Sequence, residues 1–169
     1  MIQTISLNLV FNSKGEDCIL EGTLPRSVSR FSNLEILRLD KGGFIQGSLP
    51  TEIAQLKKLR RLDVSGNEIT GVIPAQYRDL KNLEELDIGM NFLRGTIPAF
   101  LGDLSKLEEL FLGNNLFSGT ISPRIGALPL VKVVDFSDNE LTGPIPAFTG
   151  DLLRYLDLVS SQSLHYEEI

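Results

Sequence analysis

Residues 83–98 read LEELDIGMNFLRGTIP, and the same frame stands on either side: LRRLDVSGNEITGVIP from Leu59, LEELFLGNNLFSGTIS from Leu107 and VKVVDFSDNELTGPIP from Val131. The asparagines of the frame, Asn67, Asn91, Asn115 and Asn139, are 24 residues apart. A period of that length with a fixed apolar pattern marks a chain that stacks one supersecondary unit on the next, because no unit buries its apolar side alone.

Each copy opens on a short strand. The second and third apolar positions of the frame, Leu86 and Ile88 in this copy, point inward, while the residues alternating with them face solvent. Stacked strands make a parallel sheet lining one side. The asparagine after the strand has an amide that both donates and accepts, and it serves backbone groups that the turning coil leaves unpaired. Gly71, Gly95, Gly119 and Gly143 stand where a tight turn is expected, followed by an Ile-Pro pair in most copies. Apolar positions such as Ile53, Leu56, Leu101 and Leu104 then close the coil on the outer side. With adjacent strands about 4.8 Å apart, six to seven coils make a stack on the order of 30 Å long.

The array extends beyond the four clear copies. Upstream, Leu34, Leu37 and Leu39 open a copy of 25 residues that closes on Gly47, Leu49 and Pro50, with Gly42 in place of the asparagine. Leu7, Leu9 and Asn12 look like a first strand, separated by the polar stretch SKGEDC from Leu20, Gly22, Leu24 and Pro25. Downstream, Leu153, Leu156 and Leu158 begin a last copy with Ser161 at the asparagine position. The expected organisation is one domain over 1–169, with a degenerate first repeat and loop at 1–33, regular repeats at 34–152, and a truncated last repeat and tail at 153–169.

The combination Leu-x-Gly-x-Ile-Pro resembles the plant-specific class of leucine-rich repeats, found in plant receptor-kinase ectodomains and cell-wall enzyme inhibitors. The match is strong over 34–158 and weaker over 4–33. The resemblance implies a horseshoe segment of α/β-type solenoid, with a concave parallel β-sheet and a convex side of short turns and 3-10 helix. It also implies binding of other molecules on the concave face. This chain departs from those receptors in showing no cysteine-paired cap, no membrane span and no kinase, so a receptor role is not expected of it.

Composition narrows the partners. The chain has 169 residues, 42% of them hydrophobic, enough for one continuous core. A formal charge of −6 disfavours nucleic acid and anionic membranes, which reward clustered lysine and arginine, and suits a basic protein or peptide. No apolar run is long enough to span a membrane, and the first residues lack the basic head and apolar stretch of an export signal. Cys18 is the only cysteine and no Asn-x-Ser/Thr acceptor occurs, which fits a reducing compartment. A cytoplasmic location is therefore expected.

Since the frame residues are structural, function is sought at the strand positions the fold leaves free. Arg61, Asp63 and Ser65, then Glu85, Asp87 and Gly89, Glu109, Phe111 and Gly113, and Val133, Asp135 and Ser137 are expected to face solvent. Ile36, Arg38 and Asp40 precede them, and Tyr155, Asp157 and Val159 follow. With the flanking Glu84 and Glu108 the middle copies form an acidic patch between more basic ends, Arg38, Arg60 and Arg61 on one side and Lys132 and Arg154 on the other. Phe111 puts a large apolar group where the other copies carry aspartate. An aromatic anchor ringed by charge is how binding hot spots are built. Met90, Val133 and Tyr155 extend the contact. Alternatively, Phe111 folds down over neighbouring backbone or meets a second copy of the chain.

Catalysis is not expected. The one histidine, His165, lies beyond the last regular copy, where a terminus is prone to fray, and one Cys with one His cannot make a zinc site. Adjacent carboxylates such as Glu84 and Glu85 point to opposite sides of a strand and make no acid/base dyad. No cofactor is expected. The tail SLHYEEI resembles a ligand for phosphotyrosine-reading domains but reads more simply as a polar end to the stack.

The sequence therefore points to a non-enzymatic scaffold that binds a protein or peptide at Glu84, Glu85, Asp87, Met90, Glu108, Glu109 and Phe111, with Arg61 and Tyr155 at the margins. Two alternatives stand beside it. One is an inhibitor of a secreted cell-wall-type enzyme, suggested by the resemblance. The other is an assembly element that self-associates into homo-oligomers through an exposed terminal coil, where Leu7, Leu9, Leu153, Leu156 and Leu158 lack a neighbour.

Overall fold

A computed structural model describes residues 5–8, 22–39, 44–150, 152–158 and 164–165. Seven parallel strands pair in chain order: Ile5–Asn8, Leu34–Arg38, Arg61–Asp63, Glu85–Asp87, Glu109–Phe111, Val133–Asp135 and Tyr155–Asp157. Leu37, Leu62, Leu86, Leu110, Val134 and Leu156 stand in register across it. All of these except the half-buried Leu156 are sealed in a core that runs from Leu24 to Leu141. The seven strands agree with the expected coil count.

The ladder asparagines do what their amides predict. Asn91 Nδ2 donates to the carbonyls of Val64, Ile88 and Gly89 at 3.0, 3.2 and 3.0 Å, and its Oδ1 accepts the Ile69 N–H at 2.9 Å. Each asparagine therefore serves its own coil and the one before it. Asn67, Asn115 and Asn139 repeat the pattern, and all four are buried.

The Leu-x-Gly-x-Ile-Pro stretch holds a surprise. Where the glycine suggests only a turn, the chain forms a second parallel sheet: Gly22–Thr23, Ile45–Ser48, Glu68–Gly71, Phe92–Thr96, Leu116–Gly119 and Glu140–Leu141. Gly47, Gly71, Gly95, Gly119 and Gly143 hold φ between 79 and 87°, a left-handed conformation that other residues adopt only at a cost. Space for a side chain is also tight. A Cβ at Gly95 would lie 3.2 Å from Val72 Cγ1, and one at Gly119 would lie 3.1 Å from Thr96 Cγ2. The residue after each glycine thus lies over the glycine of the following coil.

The convex side is as expected. Arg26–Arg30, Thr51–Gln55, Ala75–Asp79 and Ala99–Asp103 are 3-10 turns, each entered from a proline in extended conformation. The fifth, Pro123–Gly126, is a turn of α-helix. There Ser122 replaces the entry proline, and its Oγ accepts the Arg124 N–H while Pro123 fills the first helical position.

At the end of the array the strand Leu164–His165 pairs with Gly143–Pro144, the next turn of the second-sheet pattern. The backbone of His165 is therefore paired, against the expectation of a frayed tail. Leu153, Leu156 and Leu158 are half-buried against the core. Asp40, Gly42, the SKGEDC stretch with Cys18, Val159, Ser161 and the residues after His165 lie outside the described residues. No described helix is long and apolar enough to cross a membrane.

Candidate functional site

The concave strands bring the chosen side chains into rows one residue wide. Arg61, Glu85, Glu109, Val133 and Tyr155 share one row, and Asp63, Asp87, Phe111, Asp135 and Asp157 the next. Phe111 stands half-buried between Asp87 and Asp135, with Glu109 two residues before it on its own strand.

Several positions expected to be open are not. Asp63 is only 6% exposed and Ser65 is buried with it. The Ser65 N–H and Oγ–H both donate to Asp63 Oδ1, at 3.2 and 2.8 Å, and Arg38 Nε donates to Oδ2 at 3.1 Å. Asp135 and Ser137 form the same pair, with Ser137 buried. Gly89 and Gly113 are also covered. A Cβ at Gly113 would lie 2.6 Å from Asp135 Oδ2, so the carboxylate of the next coil roofs the glycine. The aspartate row folds down over the strand exits instead of standing free in solvent.

The acidic patch also changes composition. Arg60 reaches one coil along and forks onto both oxygens of Glu84 at 2.8 Å, and Lys132 reaches back to Glu108. Arg61 and Arg38 approach Glu85 at 3.4 and 3.6 Å, leaving its side chain 15% exposed. The expected separation of an acidic middle from basic ends is thus replaced by pairs across neighbouring coils. The strand spacing of about 4.8 Å lets a long basic side chain span from one coil to the next. Glu84, Glu85 and Glu108 are therefore already matched, whereas Asp87, Glu109 and Asp135 have no cationic partner among the described residues.

Burial sets the titration of this group. Loss of solvent pushes the Asp87 carboxyl up to about 6, and the Gly89 N–H bonded to Oδ1 at 3.0 Å only partly offsets it. Glu85 is raised by the same loss of solvent, with Arg61 opposing. A carboxyl whose pKa is higher in the folded state binds more protons there. Asp87 therefore favours folding increasingly as pH falls from about 6 toward the ordinary carboxylate value. Arg60 is held above its usual value, first by its hydrogen bond to Glu84. Tyr155 is raised by donating to Asp157 Oδ2 at 2.9 Å.

At the margins, Tyr155 and Arg61 are exposed, and Met90 is 59% exposed with φ of 51°. Gly66, Asn114 and Asp138 hold the same left-handed turn in their coils. Glycine, asparagine and aspartate adopt it readily, and methionine only at a cost. A strained, exposed, adaptable side chain beside a candidate surface is retained at a cost to stability. Several large exposed groups escaped the sequence reading, among them Phe44, Phe92 and Leu116. Each of these three directly precedes the residue whose N–H the next ladder asparagine accepts, at the entry to the second sheet. No group of three or more His, Cys, Asp or Glu among the described residues is placed to hold a metal ion.

With this geometry in view, a Leucine Rich Repeat family model matches residues 58–80, 82–104 and 106–128. The chain carries leucine-rich repeats and folds as their solenoid, with a repeat pattern similar to that of the plant-specific class. Among solved structures it is similar to the ectodomain of the receptor kinase GASSHO1/SCHENGEN3 from Arabidopsis thaliana, in complex with CASPARIAN STRIP INTEGRITY FACTOR 2. That match has 31% identity and a TM-score of 0.79, and covers 85% of this chain and 20% of the other. It is similar to the Arabidopsis receptor kinase HAESA ectodomain, in complex with an IDA peptide hormone ligand, with 31% identity and a TM-score of 0.80, over 85% and 24%. It is also similar to a plant ice-binding protein, with 31% identity and a TM-score of 0.68, over 74% and 40%. The chain thus spans between a fifth and two fifths of the length of these three. Comparison with curated protein sequences found no match.

Proposed function

We infer that this chain is a binding module that holds a basic segment of a protein or peptide on its concave face, over Phe111. What supports this reading is one contrast: the other acidic side chains of the middle coils are matched by arginine or lysine, and those around Phe111 are not. An arginine or lysine of the partner laid on the Phe111 ring meets Asp87 on one side, Asp135 on the other and Glu109 before it. Two of the similar receptor ectodomains hold a named ligand in their structures. That likeness to ectodomains favours an extracytoplasmic setting over the reducing compartment suggested by the cysteine count.

Phe111→Asp combined with Glu109→Lys tests the reading. Both positions are only half-buried, so stability is expected to change by less than about 1 kcal/mol while capture of the partner falls at least about tenfold. Lowering the pH from 7 to 5 is expected to weaken capture as well, because Asp87 gains its proton near 6. Equal capture by both proteins at both pH values excludes the floor as the working surface.

A second reading is favoured by a specific feature. Thr23, Ser48, Val72, Thr96 and Thr120 form a row of exposed small side chains, one per coil, set against the glycines of the second sheet. A regular, rigid row of methyls and hydroxyls with a repeat of about 4.8 Å is a template for ordered water. Together with the likeness to an ice-binding protein it suggests adsorption to ice. On that reading the intact chain slows ice recrystallisation and Thr96→Lys loses the effect. An intact chain without effect on ice growth removes it.

A further inference from the structure

Phe44, Glu68, Phe92, Leu116 and Glu140 hold one position in five successive coils. Each of the first four precedes the residue whose N–H the next ladder asparagine accepts, and Glu140 follows by the same frame. They make a line along the stack, at the edge between the two sheets. Phe44 and Phe92 are each 53% exposed and Leu116 45%. Met90, two residues before Phe92, carries the exposed apolar surface toward the concave strands. Nothing in the core requires these side chains, because Ile45, Ile69, Leu93, Phe117 and Leu141 beside them already fill it. Large apolar groups clustered on a surface mark an interaction site.

The charges beside this line select the occupant. Glu68 and Glu140 bracket the Phe92 and Leu116 pair, and neither has a cation among the described residues. Among the described residues Glu68 accepts only from Gln46 Nε2, at 2.9 Å. Asp138, exposed two residues before Glu140, adds to the same end. Arg94 lies in the neighbouring row, with Gln46, Thr70, Ser118 and Thr142. Glu68 and Glu140 are three coils apart, about 14 Å at the usual strand spacing, which an extended chain spans in about four residues.

We propose that this edge is a docking surface for an extended polypeptide segment carrying two basic residues four apart, with the apolar side chain midway between them seated across Phe92 and Leu116. The proposal rests on the reading of the chain as a polypeptide-binding module, but not on the concave floor being the seat.

Selection of a random displayed peptide library on the intact chain provides the probe, and three folded variants separate the surfaces. The expected result is enrichment of peptides with basic residues four apart around an apolar centre. Their binding should fall at least about tenfold for Phe92→Ser with Leu116→Ser, and similarly for Glu68→Lys with Glu140→Lys, while Phe111→Asp with Glu109→Lys retains it. Loss of binding only in the Phe111 and Glu109 variant overturns the edge proposal and supports the floor. Enriched peptides that survive both edge variants, or that lack the basic pair, overturn the edge proposal too. Failure of any peptide to enrich counts against both.

Discussion

Asn115→Ala is expected to lower the free energy of unfolding by about 3 kcal/mol, measured by urea or thermal denaturation. The cost is set by which groups lose their only partner. Asn115 Nδ2 donates to the carbonyls of Ile88, Leu112 and Gly113, but each has a second donor: Asn91 Nδ2 for Ile88, Asn139 Nδ2 for Leu112 and the Met90 N–H for Gly113. The Leu93 N–H is different. Its bond to Asn115 Oδ1 at 2.9 Å is lost, and Leu93 lies fully inside the core. A buried donor left unsatisfied costs about 1 to 3 kcal/mol, and the space vacated by the amide adds to that. Asn115→Asp is expected to be worse than alanine at neutral pH, because a carboxylate would face three carbonyl oxygens. Its cost should shrink as pH falls and the carboxyl takes up a proton. A change below about 1 kcal/mol for alanine would mean that the amide row contributes little and water replaces it readily.

Gly126→Ala is expected to cost about as much, for a steric reason. An added Cβ would stand 2.2 Å from the carbonyl oxygen of Ala147 and 3.0 Å from its carbon. Both are backbone atoms, so no rotamer change relieves the clash and the coils must move apart. Overpacking of this kind costs about 3 kcal/mol or more. Gly102 stands in the same relation to Arg124, with a Cβ only 2.3 Å from its backbone carbon. Because stacked repeats couple mainly to their neighbours, the damage at Gly126 should be local. Hydrogen exchange is expected to quicken across the strands Val133–Asp135 and Tyr155–Asp157 while Arg61–Asp63 keeps its protection. Uniform acceleration along the whole stack would show instead that the array opens as one unit.

What could be read from the residues follows from what burial demands. Leu86, Ile88 and Asn91 recur because each coil must seal the next, so the solenoid, its seven concave strands and the asparagine row were all legible. The second sheet was not, since a glycine at positive φ reads as a turn whether or not its backbone pairs with neighbours. The exposed face was legible only in outline. The sequence places Glu84 and Arg60 in adjoining coils, but only the geometry shows the guanidinium spanning the gap, which leaves Asp87, Glu109 and Asp135 as the unmatched set. Asp63 and Ser65 were expected to be open because strand alternation says so. A local hydrogen bond between them overrides the alternation. Gly102 and Gly126 carried no signal at all, because the need for glycine there comes from a backbone more than twenty residues away.

The overlap of each coil on the glycine of the next gives the stack a handed, one-way joint. Thr96 covers Gly119 and Thr120 covers Gly143, never the reverse. A coil therefore presents a tongue on one side and a slot on the other, and every regular copy carries both. Duplicating or deleting a whole copy in the middle of the array leaves matching halves at the new junction, whereas a cut of any other length pairs a tongue with no slot. Such an array can change the reach of its binding surface in whole steps of about 5 Å without redesigning its interior.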